Sequence, residues 1–495
     1  MAVSNERGSL HLELARPELL RDRGLINGAW LKADSGEFFE VVDPASLKVV
    51  QAMARMGASE AKSAVDAAQA ALPSWSRRTA KDRAAILRTW FNSILAHTDD
   101  LARILTAEQG KPLAEAIGEI GYAASFIEWF AEEGKRVYGD VIPSTRSDTR
   151  ILVTKAPVGV AAAITPWNFP AAMITRKAGA ALAAGCTIVI KPSELTPLTA
   201  FALGLLAMES GVPAGVINII TGDAPAIGDV WTSDPRVRKL TFTGSTAVGK
   251  RLTAACAPTL KRVSMELGGN APFIVFEDAD LDVAVSAAIA SKFRNTGQTC
   301  VCANRLLVQD DVYDEFTQRL ALQIKNLRLG AGLSGPSELG PLINEQALAK
   351  VQRHVSDALA KGARVVMGGN RSNNIGPGAF YLPTILTDAN ESMLLAQEET
   401  FGPVAPLFRF FDEAEAIKVA NDTGSGLAAY IFTRDLARTF RVTEALQTGI
   451  VGVNTGLIST EVAPFGGVKD SGLGREGSRY GIDEFLDVKY VCLGI

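Results

Sequence analysis

A chain of 495 residues is longer than one ordinary hydrophobic core supports, so two large domains with at most a small appendage are expected. Its 47% hydrophobic content, 45 glycines and 22 prolines suit an α/β protein rich in tight turns. A formal net charge of −4 argues against a nucleic-acid partner and against docking on an anionic membrane.

The first twenty residues, MAVSNERGSLHLELARPELL, are polar and mixed in charge, without the apolar run of a secretory leader. Five cysteines, an odd number, fit a reducing compartment, and a cytoplasmic location is expected. No apolar stretch is long enough to span a bilayer. Residues 1–22 are expected either to pack on a neighbour as an arm or to be disordered.

Residues 57–72 have the spacing of an amphipathic helix with Ser59 as its N-cap. Residues 81–99 and 101–109 continue helically to a Gly-Lys-Pro break at 110–112. A helix over about 114–135 carries Phe126, Trp129 and Phe130 on one stripe, which reads as core packing. From Val158 the pattern changes to short apolar strands (VGVAAAIT, CTIVIKPS, VINIITG, KLTFTGS) alternating with helices near 171–184 and 198–209. That alternation predicts a parallel sheet covered on both faces. A second α/β series starts near Ala271 (APFIVFED), so the two halves are expected to meet at 266–270.

Cys300, in GQTCVC at 297–302, is the best nucleophile candidate. The three histidines, His11, His97 and His354, are scattered, so its base is expected to be a carboxylate. Lys239–Lys250 (KLTFTGSTAVGK) reads as strand, turn and helix start, where Gly244, Ser245 and the backbone N–H groups after them could hold a phosphate. It nearly spells a P-loop, but Arg251 stands where Ser or Thr would hold magnesium. A G-x-G-x-x-G at 472–477 lies too close to the end of the chain for a dinucleotide-binding unit and reads as a structural loop. Lys191 and Glu194 follow a buried strand, where open α/β sheets bind ligands, though such a pair is often just a solvated loop. Asn168, after another strand, could donate to an oxyanion or could be a turn residue.

PWNFP (166–170), KPSELTP (191–197), FTGSTAVGK (242–250), ELGGN (266–270), GQTC (297–300), EETFGPV (398–404) and PFGGVKDSGLGREG (464–477) occur together and in order. On these the chain resembles the NAD(P)-dependent aldehyde dehydrogenase superfamily over nearly its whole length. The resemblance implies an α/β fold with a Rossmann-type cofactor domain lacking the usual glycine fingerprint (residues 1–130 and 150–265). It also implies an α/β catalytic domain (266–465), and a small β bridging element (131–149 and 466–495) serving a homodimer or homotetramer.

By matching position, the resemblance makes Cys300 the nucleophile, Glu266 the base for deacylation, Asn168 the oxyanion donor and Lys177 a proton relay. Read from sequence alone, Lys177 could equally be a helix-surface lysine. For the cofactor, Lys191 and Glu194 match adenosine-ribose contacts, Trp167, Gly244 and Ser245 the pyrophosphate region, and Glu399 and Phe401 the nicotinamide-ribose clamp. A carboxylate at Glu194 repels a 2′-phosphate, so NAD is expected to be preferred, with NADP possible.

The segments 173–186, 291–305 and 456–490 resemble the succinate-semialdehyde dehydrogenase branch, in which residues matching Arg176, Arg294 and Ser459 hold the distal carboxylate. Fixed arginines suit an ω-carboxylate, although each could instead serve a structural ion pair. Glutarate semialdehyde, one methylene longer, is the natural competitor. Cys302 could form a reversible disulfide with Cys300, or be a small buried apolar residue. No metal site is expected, because Cys-x-Cys alone lacks four ligands.

Overall fold

The computed structural model describes residues 8–495; expectations for residues 1–7 lie outside the described residues. Residues 8–22 pack on the chain's own body. Leu10, Leu12 and Leu14 lie against its core, and the Ala15 and Arg16 amides donate to Asp100 at 2.8 Å. No helix among the described residues is long and apolar enough to cross a membrane.

Two large sheets organise the molecule. The first runs Ala29–Leu31, Gly24–Ile26, Ile217–Ile219, Thr187–Lys191, Val160–Ile164, Val237–Thr243, Arg262–Glu266, Gly472–Leu473. Its five central strands are parallel, and antiparallel pieces close both edges. The edge hairpin at 24–31 turns at Asn27-Gly28, both with positive φ, a dipeptide that marks a two-residue hairpin in any sequence. Strand residues alternate between two cores: Ala161 and Ala163 face one, Val160 and Ala162 the other. Helices therefore cover both faces, as the continuous apolar strands require.

The second sheet runs Arg364–Met367, Thr384–Ala389, Val404–Phe410, Ala303–Gln309, Ala271–Val275, Ala428–Phe432, Ile450–Val453, parallel except at Arg364–Met367. Phe273 and Val275 point into one core and Ile274 into the other, repeating the period-two burial. One sheet's strand ends at Glu266, and the other's begins at Ala271. A separate antiparallel sheet pairs Leu486–Gly494 with Thr149–Pro157 and then Asp140–Ile142. Thr149–Pro157 pairs along its length with the C-terminal strand.

Several local expectations are corrected. Ser59 lies inside the helix Ala58–Ser76; the N-cap is Gly57, whose amide donates to Glu60 at 2.8 Å, while the Ser59 hydroxyl donates to Asp34. The helices expected at 81–99 and 101–109 are Ala80–Ala96 and Thr98–Gln109, parted at His97. The glycine-rich stretch at 472–477 is not wholly loop, because Gly472–Leu473 pairs with Met265 and Glu266.

Candidate active site

Four strands of the first sheet end at one crevice. Ile164 leads into Pro166–Asn168, Lys191 into Glu194, Thr243 into Gly244 and Ser245, and Glu266 into Leu267–Asn270. The carboxyl edge of a parallel sheet is where α/β folds place ligands. Here the second half of the chain closes over it. A cavity of about 530 Å³ is lined by Trp167, Asn168, Gly244, Ser245, Glu266, Cys300, Glu399 and Phe401 among others. Lys191 and Glu194 do not line it. They sit just beside it, ion-paired at 2.8 Å, with Lys191 buried and Glu194 42% exposed. The Thr196 hydroxyl of the same loop donates to Trp167 O at 3.3 Å.

The loop leading to Cys300 is built on strained backbone. Asn295, Thr296 and Gly297 follow one another with φ of 50°, 57° and 76°. A Cβ at Gly297 would stand 2.2 Å from Gly402 O, so only glycine fits. Likewise a Cβ at Gly269 would lie 2.4 Å from Cys300 O, so the Glu-Leu-Gly-Gly-Asn turn can press against the Cys300 backbone. Burial, the Glu399 and Glu266 carboxylates pushing the same way, raises the Cys300 thiol to about 12, against the pull of Arg176 and Arg294. The resting sulfur is therefore protonated and needs a base.

Asn168 is buried. Its Nδ2 donates one hydrogen to Gln298 O at 3.0 Å, and the amide retains a second N–H. Its backbone carbonyl accepts from Lys111 Nζ at 2.9 Å and Asn295 Nδ2 at 3.0 Å. Glu266 is 3% exposed and neither carboxylate oxygen has a partner. Burial first, then Glu476, pushes its carboxyl well above the ordinary range, which strengthens it as a proton acceptor once ionised.

Lys177 is not a surface lysine. It is 1% exposed, with its ammonium held by Glu476 and by the Thr243 hydroxyl at 2.6 Å. Glu476 is the residue the sequence reading missed, although it sits inside the quoted GREG string. Lys177, with Arg176 next, holds its carboxylate below the usual range despite burial.

Beyond Cys300 a small cavity is lined by Tyr122, Phe169, Met173, Arg176, Arg294, Thr299 and Ser459 among others. Arg176 is fully enclosed. Its guanidinium carbon lies 4.0 Å from the Phe465 ring centroid and 5.0 Å from that of Phe126, and its Nε and Nη2 have no hydrogen-bond partner. Its contact with Glu476 is loose, at 3.7 Å, so a structural ion pair does not consume it. Arg294 stacks over Phe169 at 5.4 Å.

On the cofactor side, Trp167 and Phe401 meet edge-on at 5.5 Å, with Phe401 at φ 56°. Glu399 accepts from Gly269 N at 3.2 Å, and burial raises its carboxyl to about 7. Ser245 caps the helix Thr246–Cys256 by position, but its side chain makes no capping bond, which leaves the helix N-terminus open to an anion. The P-loop alternative fails, because the exposed Lys250 pairs with Asp470 at 2.7 Å and Arg251 occupies the magnesium-ligand position.

Residues 30–491 match the aldehyde dehydrogenase family. The chain belongs to that family. It is 61% identical to the succinate-semialdehyde dehydrogenase [NADP(+)] GabD of Escherichia coli K12, covering 98% of this chain and 100% of the relative. It is 57% identical to a glutarate-semialdehyde dehydrogenase of Pseudomonas aeruginosa, covering 98% and 100%. The crystal structure of a succinate-semialdehyde dehydrogenase from Burkholderia pseudomallei superposes with a TM-score of 0.96 at 59% identity, covering 97% of this chain and 100% of that one. The protein is thus an aldehyde dehydrogenase, an oxidoreductase of a family that uses NAD(P).

Proposed function

We propose that this aldehyde dehydrogenase oxidises succinate semialdehyde to succinate with a nicotinamide dinucleotide, through covalent intermediates on Cys300. The observation that carries the reading is the buried Arg176 guanidinium, with two unpaired nitrogens, in the cavity that opens on Cys300. A cation sealed among aromatic rings with free donors is costly unless an anion completes it. Arg294 and Ser459 share that cavity, and Arg294 lies six residues before the nucleophile. A four-carbon chain can place its aldehyde at sulfur and its carboxylate on the arginines.

The chemistry follows from the same residues. Cys300 gives up its thiol proton to water in the cavity and attacks the aldehyde carbon. The oxyanion of the thiohemiacetal is held by the second Asn168 N–H and the Cys300 backbone N–H. The larger cavity fits a dinucleotide: an open helix N-terminus at Ser245 suits phosphate, and Glu399 and Phe401 line the stretch approaching Cys300. A dinucleotide bound there supplies the hydride acceptor. Glu266 deprotonates the water that cleaves the Cys300 thioester, and Lys177 and Glu476 behind it carry the proton onward.

Glu194 beside Lys191 favours a ribose diol over a 2′-phosphate, so NAD is the preferred cofactor. The E. coli relative is named for NADP(+), so the preference here rests on this chain's own carboxylate. One methylene is worth roughly 1–3 kcal/mol, so glutarate semialdehyde is a slower substrate, not an excluded one. The exposed C-terminal strand, with Val488, Tyr490 and Leu493 on its surface, supports assembly into a homodimer or homotetramer.

Initial rates with succinate semialdehyde, glutarate semialdehyde and propanal, each with NAD and NADP, test the reading. Succinate semialdehyde should exceed propanal by about 10²-fold or more in kcat/KM, on the scale of charge-assisted hydrogen bonds. Equal values would reject it.

A further inference from the structure

Tyr122 lies one turn before Phe126 on the helix Leu113–Glu133 and packs edge-on against it, with ring centroids 5.0 Å apart at 71°. By periodicity it is one more core aromatic, and for that purpose phenylalanine would serve. Yet the Tyr122 hydroxyl is enclosed and has no hydrogen-bond partner. Ser459 approaches it without a well-formed bond. A buried hydroxyl left unpaired is destabilising, and native proteins seldom retain one without a use for it.

Its surroundings supply the use. Tyr122, Phe169, Arg294 and Ser459 all border both the small cavity at Cys300 and a second cavity of about 260 Å³ beyond it, so they form the waist between the two. The Arg176 guanidinium carbon is 5.9 Å from the Tyr122 ring centroid. Arg176 Nε and Nη2, Tyr122 Oη and Thr299 Oγ1 are all unpartnered around this one small space. Glu476 stays 3.7 Å from Arg176 Nε, short of a hydrogen bond, and a substrate carboxylate offers about four lone-pair sites, more than one guanidinium edge fills. Burial raises the Tyr122 phenol, so it stays protonated and able to donate.

We propose that Tyr122 is a specificity-determining residue whose hydroxyl donates a hydrogen bond to the distal carboxylate of the semialdehyde. The inference rests on the reading of the site given above. It sets Tyr122 apart from Phe126 and Phe130 of the same helix, which have no hydroxyl to donate.

The test compares the full-length enzyme with Tyr122→Phe, measuring kcat/KM for succinate semialdehyde and for propanal with NAD, and the thermal midpoint. The ratio of the two kcat/KM values should fall about 10- to 100-fold, the range for a hydrogen bond to a charged group. The midpoint should hold or rise, because an unpaired buried hydroxyl has been removed. A ratio within about threefold of the parent's, on the scale of an interaction below 1 kcal/mol, overturns the proposal, whatever the midpoint does. If the parent discriminates and Tyr122→Phe keeps that discrimination, the role of Tyr122 fails while the proposed function stands. If the parent does not discriminate, both fail.

Discussion

Glu266 is the group whose removal tests the most. Both its oxygens are unpartnered, and burial with Glu476 nearby holds its carboxyl far above the ordinary range. A buried group in that condition is mostly neutral below its raised pKa, so Glu266→Gln exchanges one uncharged side chain for another of the same shape. Folding should be little affected. What disappears is the capacity to take a proton from water. General-base catalysis contributes about 10²–10⁴-fold, so steady-state turnover should fall by that factor, roughly 3–5.5 kcal/mol of barrier.

The assay is rapid mixing of enzyme, NAD and succinate semialdehyde, with reduced cofactor followed by absorbance. Glu266→Gln should give a burst approaching one reduced nucleotide per site and then almost nothing, with the acyl group trapped on the peptide that carries Cys300. In the parent, turnover should rise with pH through the raised Glu266 pKa, because the base acts only when ionised; the variant should lose that limb. A steady-state rate within tenfold of the parent would refute the assignment. Loss of the burst along with turnover would move Glu266 to activation of the Cys300 thiol, which burial holds near 12, and would equally refute a role confined to water.

The other expectations are narrower. Glu194→Ser should lower the NADP KM by about tenfold or more while raising that for NAD, since one like-charge contact near the surface is worth on the order of 1–4 kcal/mol; unchanged KM values for both would reject the role of Glu194. Glu399 ionises through about 7, so the KM for NAD should climb as pH falls below that value and the ribose acceptor is lost; a pH-independent KM in the parent, or an unaltered profile in Glu399→Gln, would count against it. Cys302, whose sulfur takes a hydrogen bond from buried Lys292 at 3.5 Å, is expected to form a peroxide-induced disulfide with Cys300 that dithiothreitol reverses; an identical peroxide response in Cys302→Ala would remove the switch.

What the sequence made legible follows from where the information lies. Asn168, Glu266 and Cys300 stand in turns whose neighbours are constrained too, by Gly269 against the Cys300 carbonyl and Gly297 against Gly402, so each is embedded in a contiguous string. The chain crosses from one sheet to the other within 266–270, so the same string carries Glu266 and the crossing. Glu476 escaped because its meaning lies in a contact with Lys177, 299 residues away, and its own string looked like a glycine-rich loop. Tyr122 escaped because helical periodicity reports which face is buried, and cannot report that one hydroxyl on that face lacks a partner. Ser59 misled because the first helix is capped by the reverse contact, from Glu60 to the Gly57 amide.

The unpaired buried groups also separate recognition from packing. The site contains Arg176 with two free nitrogens, Glu266 with two free oxygens, and the Tyr122 and Thr299 hydroxyls. Two other buried charges are satisfied within the chain: Glu108 accepts from the Leu198 and Thr199 amides at 2.6 and 2.9 Å, and Lys111 meets Glu119 at 2.5 Å. Both kinds of group are desolvated, so burial alone does not mark function. The difference is that Glu108 and Lys111 are complete without a ligand, and Arg176 and Glu266 are not. Each unmet group weakens the free protein by roughly 1–3 kcal/mol. Glu476 stays 3.7 Å from Arg176 Nε, short of a hydrogen bond, so an anion reaching Arg176 from the Cys300 side would still find free donors.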